Sequence, residues 1–452
     1  MGYSKSFGLG TDKECTMISS MNRFATASVA AGGAVLIAMT VGSAQSPIKC
    51  DPDNGGLKLP AGFCAAVVAE NNPTARHLVV APNGDVFVAR QGGGQRGGTP
   101  VAGGVVALRD KDGDGRLETR EEFGTGSITG IALRNGYLYV AKFNSVERFK
   151  MTAGQLKPAS DTPEVVVSGL PGVPQHGDKG IAFDGKGSLY VNVGAPSNAC
   201  QNPDRRPGAK GQDPCPLLEK NGGIWKFDEN KLGQKQEDGT RWATGLRQMP
   251  GIAFHDGAAW ISMNNRDQLD AFWPDTFKQE DNANRPAEPL YRAAQQGANF
   301  GWPYCFFDYT QKKMLLNPEY GGDGKTEGRC TMFTPPVAAF PAHWAPVDLM
   351  FYTGTQFPQK YRGGAFIAFH GSWNRAPEQA GYNVTFQPIA NGKATGTFEV
   401  FADGFTGKPT PIKAPGEAAA RPDGLAQGPD GSLYISEDVK GKMWRVFYRP
   451  GK

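Results

Sequence analysis

The chain has 452 residues, of which 61 are Gly and 34 are Pro, so these two types fill about 21% of positions. That share lies below the roughly 25–30% of low-complexity chains, and aromatic residues hold at 10%, which excludes disorder and disfavours a helical bundle. The net charge of +4 is small and no run of five like charges occurs, which argues against nucleic acid as a partner.

Residues 24–41 form an almost uncharged stretch of small and apolar side chains, preceded by Arg23 and followed by Gly42, Ser43 and Ala44. This reads as an export signal cleaved after Ala44, because no cationic stop-transfer flank follows it as it would follow a membrane anchor. The expected organisation is a leader at 1–44, removed, and one domain at 45–452, with no stable membrane span after removal. Of the seven cysteines, Cys15 falls in the leader and six remain. Fifteen pairings are formally open, and the sequential one is favoured because each bridge then staples one local loop: Cys50 with Cys64, Cys200 with Cys215, Cys305 with Cys330. No C-x-x-C occurs, so a cysteine metal site and an attached c-type haem are both disfavoured. An oxidising compartment, periplasmic or secreted, follows.

The rest of the chain repeats one phrase, in which an apolar pair precedes a Gly, Asn or Asp turn and an alternating strand. Copies stand at 77–89, 130–141, 180–192, 251–262, 348–368 (degenerate) and 424–436, and several are trailed by a further strand, as at 145–150, 223–227 and 442–448. Six copies of a three-to-four-strand unit predict an all-β, six-bladed propeller, with 63–69 as the outer strand that closes the ring. A two-sheet sandwich is the competing architecture. At about 68 residues per blade, long loops decorate one face, with 192–222 and 273–345 as the obvious insertions. Propellers reverse at every hairpin, which accounts for the glycine, since positive φ is least costly there.

Residues just before an inner strand fall at the axial mouth of such a ring. That position holds His176 and Lys179 in the third copy, Arg247 and Gln248 in the fourth, and Arg421 and Asp423 in the sixth. A neutral His suits a general base, and clustered guanidinium groups suit a planar, anionic, oxygen-rich ligand. The competing reading is that these residues are hydrogen-bond partners between blades. Separately, Asp110, Asp112, Asp114, Arg116, Glu118 and Glu121, with Gly115 at the sixth position, follow the spacing of a twelve-position calcium loop. A solvated acidic turn is its alternative, and any ion there would be structural. The glycine run at 92–97 matches a dinucleotide fingerprint but opens no helix, so nicotinamide binding is rejected.

The phrases Gln-His-Gly-Asp-Lys-Gly at 175–180, Gly-Leu-Arg at 245–247, Asn-Phe-Gly-Trp-Pro-Tyr-Cys at 299–305, His-Gly-Ser-Trp-Asn-Arg at 370–375 and Arg-Pro-Asp-Gly at 421–424 resemble the soluble quinoprotein sugar dehydrogenases, above all their sorbosone dehydrogenase branch. The resemblance runs from about residue 60 to the C-terminus. It implies pyrroloquinoline quinone (PQQ) over the axial mouth, with Ca²⁺ against its quinone oxygens. It implies His176 as catalytic base, with Lys179, Arg247, Gln248, Trp344, Trp373, Asn374, Arg375, Arg421 and Asp423 toward the cofactor. It also implies backbone metal ligands near Asn265 and Arg266. The chain departs from the glucose enzymes at Gln248, where those carry Asn, and in its sixth-blade motif, which is less basic. The implied reaction removes the hydroxyl proton of a sugar or aldehyde hydrate to His176 while hydride passes to the quinone. Without a haem, electrons go to a separate acceptor. Two other readings stay open: a Ca²⁺-dependent propeller hydrolase of lactonase type, and a non-catalytic binding propeller.

Overall fold

The computed structural model describes residues 48–93, 100–173, 175–376 and 378–450. The expected signal segment, its cleavage point and Cys15 lie outside the described residues.

Six blade sheets of four or five strands form, each with an inner strand that supplies the start of a repeat copy; they are antiparallel except for the short parallel edge strands Gln234–Lys235 and Ala298–Asn299. The inner strands are Ala75–Val80, Ile128–Arg134, Ile181–Phe183, Ile252–His255, Pro346–Phe351 and Pro422–Gln427. Each packs against the next and the sixth packs against the first, so the ring is closed and the sandwich alternative is ruled out. Closure is made by a strand from the other end of the chain. Phe63–Ala69 pairs antiparallel with Met443–Tyr448, with Phe63 opposite Tyr448 and Ala65 opposite Val446. A closed ring leaves no sheet of the sixth blade without its outer strand, which removes an exposed edge.

The core lies between blades. Strands such as Val86–Arg90, Ser188–Val193 and Ala258–Ser262 are buried along their whole length, because both faces of a blade are covered by its neighbours. Phe63 shows how the closing strand is held: its ring meets Phe357 edge-on at 4.8 Å and Phe401 at 5.0 Å.

The hairpin glycines take positive φ as expected, Gly84, Gly136, Gly187, Gly257 and Gly431 among them, while other glycines of the repeat serve close approach at the axis. A Cβ on Gly180 would come within 2.1 Å of the Pro250 carbonyl oxygen, and one on Gly424 within 2.5 Å of the Arg76 carbonyl oxygen. Only hydrogen fits where one inner strand abuts the next.

The stretch 273–345 is not a simple insertion. It contributes the outer half of the fourth blade, Glu288–Ala293 and Ala338–Phe340, with a separate hairpin of Cys305–Asp308 and Lys313–Leu316 between them. The three sequential disulfides are formed, Cys50 to Cys64, Cys200 to Cys215 and Cys305 to Cys330. Among the described residues no helix is long and apolar enough to cross a membrane.

Candidate active site

The loop that carries His176 precedes the third inner strand. His176 itself takes φ +58°, and a Cβ on Gly194 would fall 2.1 Å from the His176 carbonyl oxygen, so the absence of a side chain at 194 lets the two segments meet. His176 Nδ1 lies 2.5 Å from the Ala195 carbonyl oxygen. A carbonyl only accepts, so Nδ1 carries the proton and Nε2 keeps its lone pair. Burial, then the charge of Arg247, pulls the imidazole pKa down to about 3, so the ring is neutral at physiological pH.

His176 opens onto a cleft of about 170 Å³ with Arg205, Arg247, Gln248, Asn264, Asn265 and Asp267; Glu288, His343, Ala345, Trp373 and Asn374 complete its lining. Asp267 organises the cationic side. Its Oδ2 accepts from Arg247 at 2.7 Å and Arg205 at 2.9 Å, while its Oδ1 accepts from the Asn374 amide at 3.1 Å. Burial opposes ionisation of Asp267, but Arg247 and its neighbours outweigh it and hold the carboxyl well below the usual range. Asn198 braces the pair: its Oδ1 accepts from the Asp267 N–H at 2.8 Å and from Arg247 at 3.1 Å. The Trp302 indole N–H in turn donates to the Asn198 carbonyl at 3.0 Å, tying the Gly-Trp-Pro-Tyr-Cys phrase to the disulfide loop of the third blade.

Glu288 is buried, and its Oε2 accepts from the Asn265 N–H at 2.8 Å. Burial pushes its pKa up to about 8. His343, also buried, is pulled down to about 4 by burial, and its Nε2 has no hydrogen-bond partner among the described residues. Trp373 leaves 52% of its surface exposed at the pocket rim.

Of the other expected site residues, Asn265 lines this cleft and the rest lie outside its lining. Lys179 is fully buried and donates to the Gly177 carbonyl at 2.9 Å, behind the His176 loop. Arg421 donates to the carbonyls of His370 and Gly371 at 3.0 and 2.9 Å. Asp423 pairs with Arg76 at 2.7 Å, and Arg76 reaches Asp178 at 2.6 Å, an ion chain between blades. Trp344 packs edge-on against Phe369 and Phe398, and Arg375 donates to the Glu378 carbonyl at 2.9 Å. Arg266 is buried with its guanidinium against Glu319, and the Asn265 carbonyl accepts from Arg247 at 2.7 Å. In the acidic loop, Asp110, Asp112, Asp114 and Glu118 bring one oxygen each within 4.8 Å of one another. Glu121 is not in that group, because Thr119–Phe123 is a strand where a calcium-binding hand would have a helix; Glu121 faces Lys157 at 3.8 Å. Arg116 turns to Asp51 at 2.7 Å.

Asn198, Arg205, Asp267, Glu288 and His343 were not singled out from the sequence. His343 stands just before an inner strand, the same position that marks His176, so that signal was available. Glu288 opens the third strand of its blade and carries no such mark. A larger cavity, about 580 Å³, lies between the hairpins of the first and second blades, lined by Pro82, Phe87, Leu133 and Met151. Its charged groups are already paired, Asp85 with Arg109 at 2.6 Å and Arg134 with Glu229 at 3.2 Å, so it offers no reactive group.

The model of one protein family, TrAA12-like, matches residues 57–449. The chain belongs to the TrAA12-like family. A pyrroloquinoline quinone-dependent pyranose dehydrogenase of Coprinopsis cinerea is 28% identical over 273 residues, covering 53% of this chain and 36% of that protein. The chain spans about half or less of the length of the curated relatives it matches. A calcium structure of a Trichoderma reesei Carbohydrate-Active Enzymes Family AA12 protein aligns with a TM-score of 0.70 at 18% identity, covering 90% of this chain and 99% of that one. The holo PQQ domain of the Coprinopsis cinerea pyranose dehydrogenase aligns at 0.66 and 18%, covering 86% and 97%. At these identities the likeness shows the propeller fold, and this TrAA12-like chain shares it over its whole ring.

Proposed function

We propose that this chain is a PQQ-dependent dehydrogenase that oxidises a hydroxyl-bearing carbon of a sugar or aldehyde hydrate and passes the electrons to a separate acceptor. The observation that carries this reading is the tautomer of His176: its Nδ1–H is committed to Ala195, which leaves Nε2 as an unprotonated acceptor in a cleft rich in donors. A base poised in this way removes a hydroxyl proton at Nε2. The names of the fungal relatives support the cofactor and the substrate class.

The pocket fits PQQ. Two guanidinium groups face one carboxylate, leaving a positive surplus for an anionic group. His343 Nε2 is a buried polar atom in want of a partner, and the exposed indole of Trp373 offers a flat face. PQQ supplies the hydride-accepting carbonyl when bound. Arg205 and Arg247, held rigid by Asp267, orient an oxygen-rich ring without being reorganised. For Ca²⁺, Glu288 offers a hard oxygen donor in the pocket, while the Asn265 carbonyl already accepts from Arg247. A second, structural Ca²⁺ in the loop of Asp110, Asp112, Asp114 and Glu118 belongs to the same proposal, as does export to an oxidising compartment, which the three disulfides support. A hydrolase is disfavoured because the pocket's one strongly acidic carboxyl, Asp267, is committed to two arginines.

Reconstitution tests the reading. Apo-protein incubated with PQQ and Ca²⁺ is expected to reduce a dye with aldoses, sorbosone or simple aldehydes. No dye reduction with any of them, together with no retained quinone absorbance, would overturn it.

A further inference from the structure

Outside the His176 pocket, three side chains from the fifth and sixth blades converge. His370 ends the strand Ala365–His370, Asp423 lies in the inner strand Pro422–Gln427, and Asp438 directly follows Leu433–Glu437. One potential ligand atom from each lies within 4.8 Å of the others. His370 Nε2 and Asp438 Oδ1 are 3.0 Å apart, close to the separation of neighbouring ligands around one small cation. Asp423 is fully buried, and while its Oδ2 is held by Arg76 at 2.7 Å, its Oδ1 accepts no hydrogen bond among the described residues. A buried carboxylate oxygen without a donor is costly and calls for a partner.

Asp178, Asp423 and Asp438 are gathered here with Arg76 and Arg421, and Arg421 spends its donors on the carbonyls of His370 and Gly371. Ca²⁺ and Mg²⁺ prefer all-oxygen shells, whereas an imidazole with carboxylates suits Zn²⁺ and its transition-metal neighbours.

We propose that His370, Asp423 and Asp438 bind one divalent transition-metal ion of the Zn²⁺ type. The ion joins the fifth blade to the sixth. It also anchors the segment that leaves His370 and places Trp373 and Asn374 at the pocket, so its role is structural and independent of which substrate the enzyme takes.

The test uses the full chain, stripped with chelator and titrated with Zn²⁺ alone by calorimetry, in an Asp112→Ala/Asp114→Ala background so that the acidic loop does not contribute. One equivalent is expected to bind, to raise the Tm and to change Trp fluorescence; His370→Gln and Asp438→Asn, whose folding is checked by circular dichroism, are each expected to lose most of that affinity. Co²⁺ in the parent is expected to give visible d–d absorption that His370→Gln lacks. If Zn²⁺ fails to bind the parent, or binds it and both variants equally, the proposal is wrong and the contact between His370 and Asp438 is a direct one between the two side chains.

Discussion

His176 Nδ1 sits 2.5 Å from the carbonyl oxygen of Ala195, and this one bond decides which ring nitrogen faces the pocket. It sets the direction of proton transfer before any substrate arrives. His176→Ala is expected to keep the fold and bind PQQ while turnover falls by about 10² to 10⁴, the usual contribution of a general base. Steady-state kinetics with a quinone-absorbance check would measure this, and unchanged turnover would remove His176 from the role.

The same residue predicts a pH signature. The folded pKa is depressed to about 3 from the ordinary 6.5, so His176 stabilises the fold above pH 6.5 relative to acid, and that stability drains away as pH falls from 6.5 toward 3. At pH 5 the unfolded chain binds a proton that the folded ring refuses, a cost of about 1–2 kcal/mol. The Tm of the wild type is therefore expected to fall more steeply between pH 7 and 5 than that of His176→Gln. Parallel Tm curves would contradict the neutral ring.

Asp267 compensates two arginines at once. Asp267→Asn keeps the shape but leaves Arg205 and Arg247 facing each other without their shared carboxylate. A loss of about 3 kcal/mol is expected from stranding buried charge, measured by denaturant unfolding. A change under 1 kcal/mol would mean that Asn198 and the backbone carbonyls suffice.

Ring closure rests on Phe63. Its ring is nearly buried among Phe357, Tyr361 and Phe401, so Phe63→Ala is expected to cost about 3–5 kcal/mol and to loosen the sixth blade first. Hydrogen exchange should report faster opening along Met443–Tyr448 than along the second blade; uniform exchange would refute it.

The acidic loop makes a separate prediction. Asp112→Ala with Asp114→Ala is expected to lower the Tm in Ca²⁺ but not in chelator. Equal effects in both would show that no cation is held there.

The repeat, the blade count, the closing strand at 63–69 and the disulfide pairs were all legible in order along the chain, because each depends on local alternation, turn residues or short loops. Of the residues that stand just before or at the start of inner strands, His176, Arg247 and Gln248 line the cleft, whereas Lys179, Arg421 and Asp423 turn to backbone carbonyls or to a neighbouring blade. Position along a repeat says which face a residue reaches, and the side chain's direction is settled by whichever partner lies across the gap.

What the sequence by itself determined is the ring: six copies of one strand pattern, glycines at the hairpin turns, and a His in an axial loop. Only the tertiary structure decided the chemistry of the mouth. Asp267, Arg205, Glu288 and His343 come from four segments spread over 139 residues of chain, and their charges, tautomers and pKa values exist only once burial and proximity bring them together.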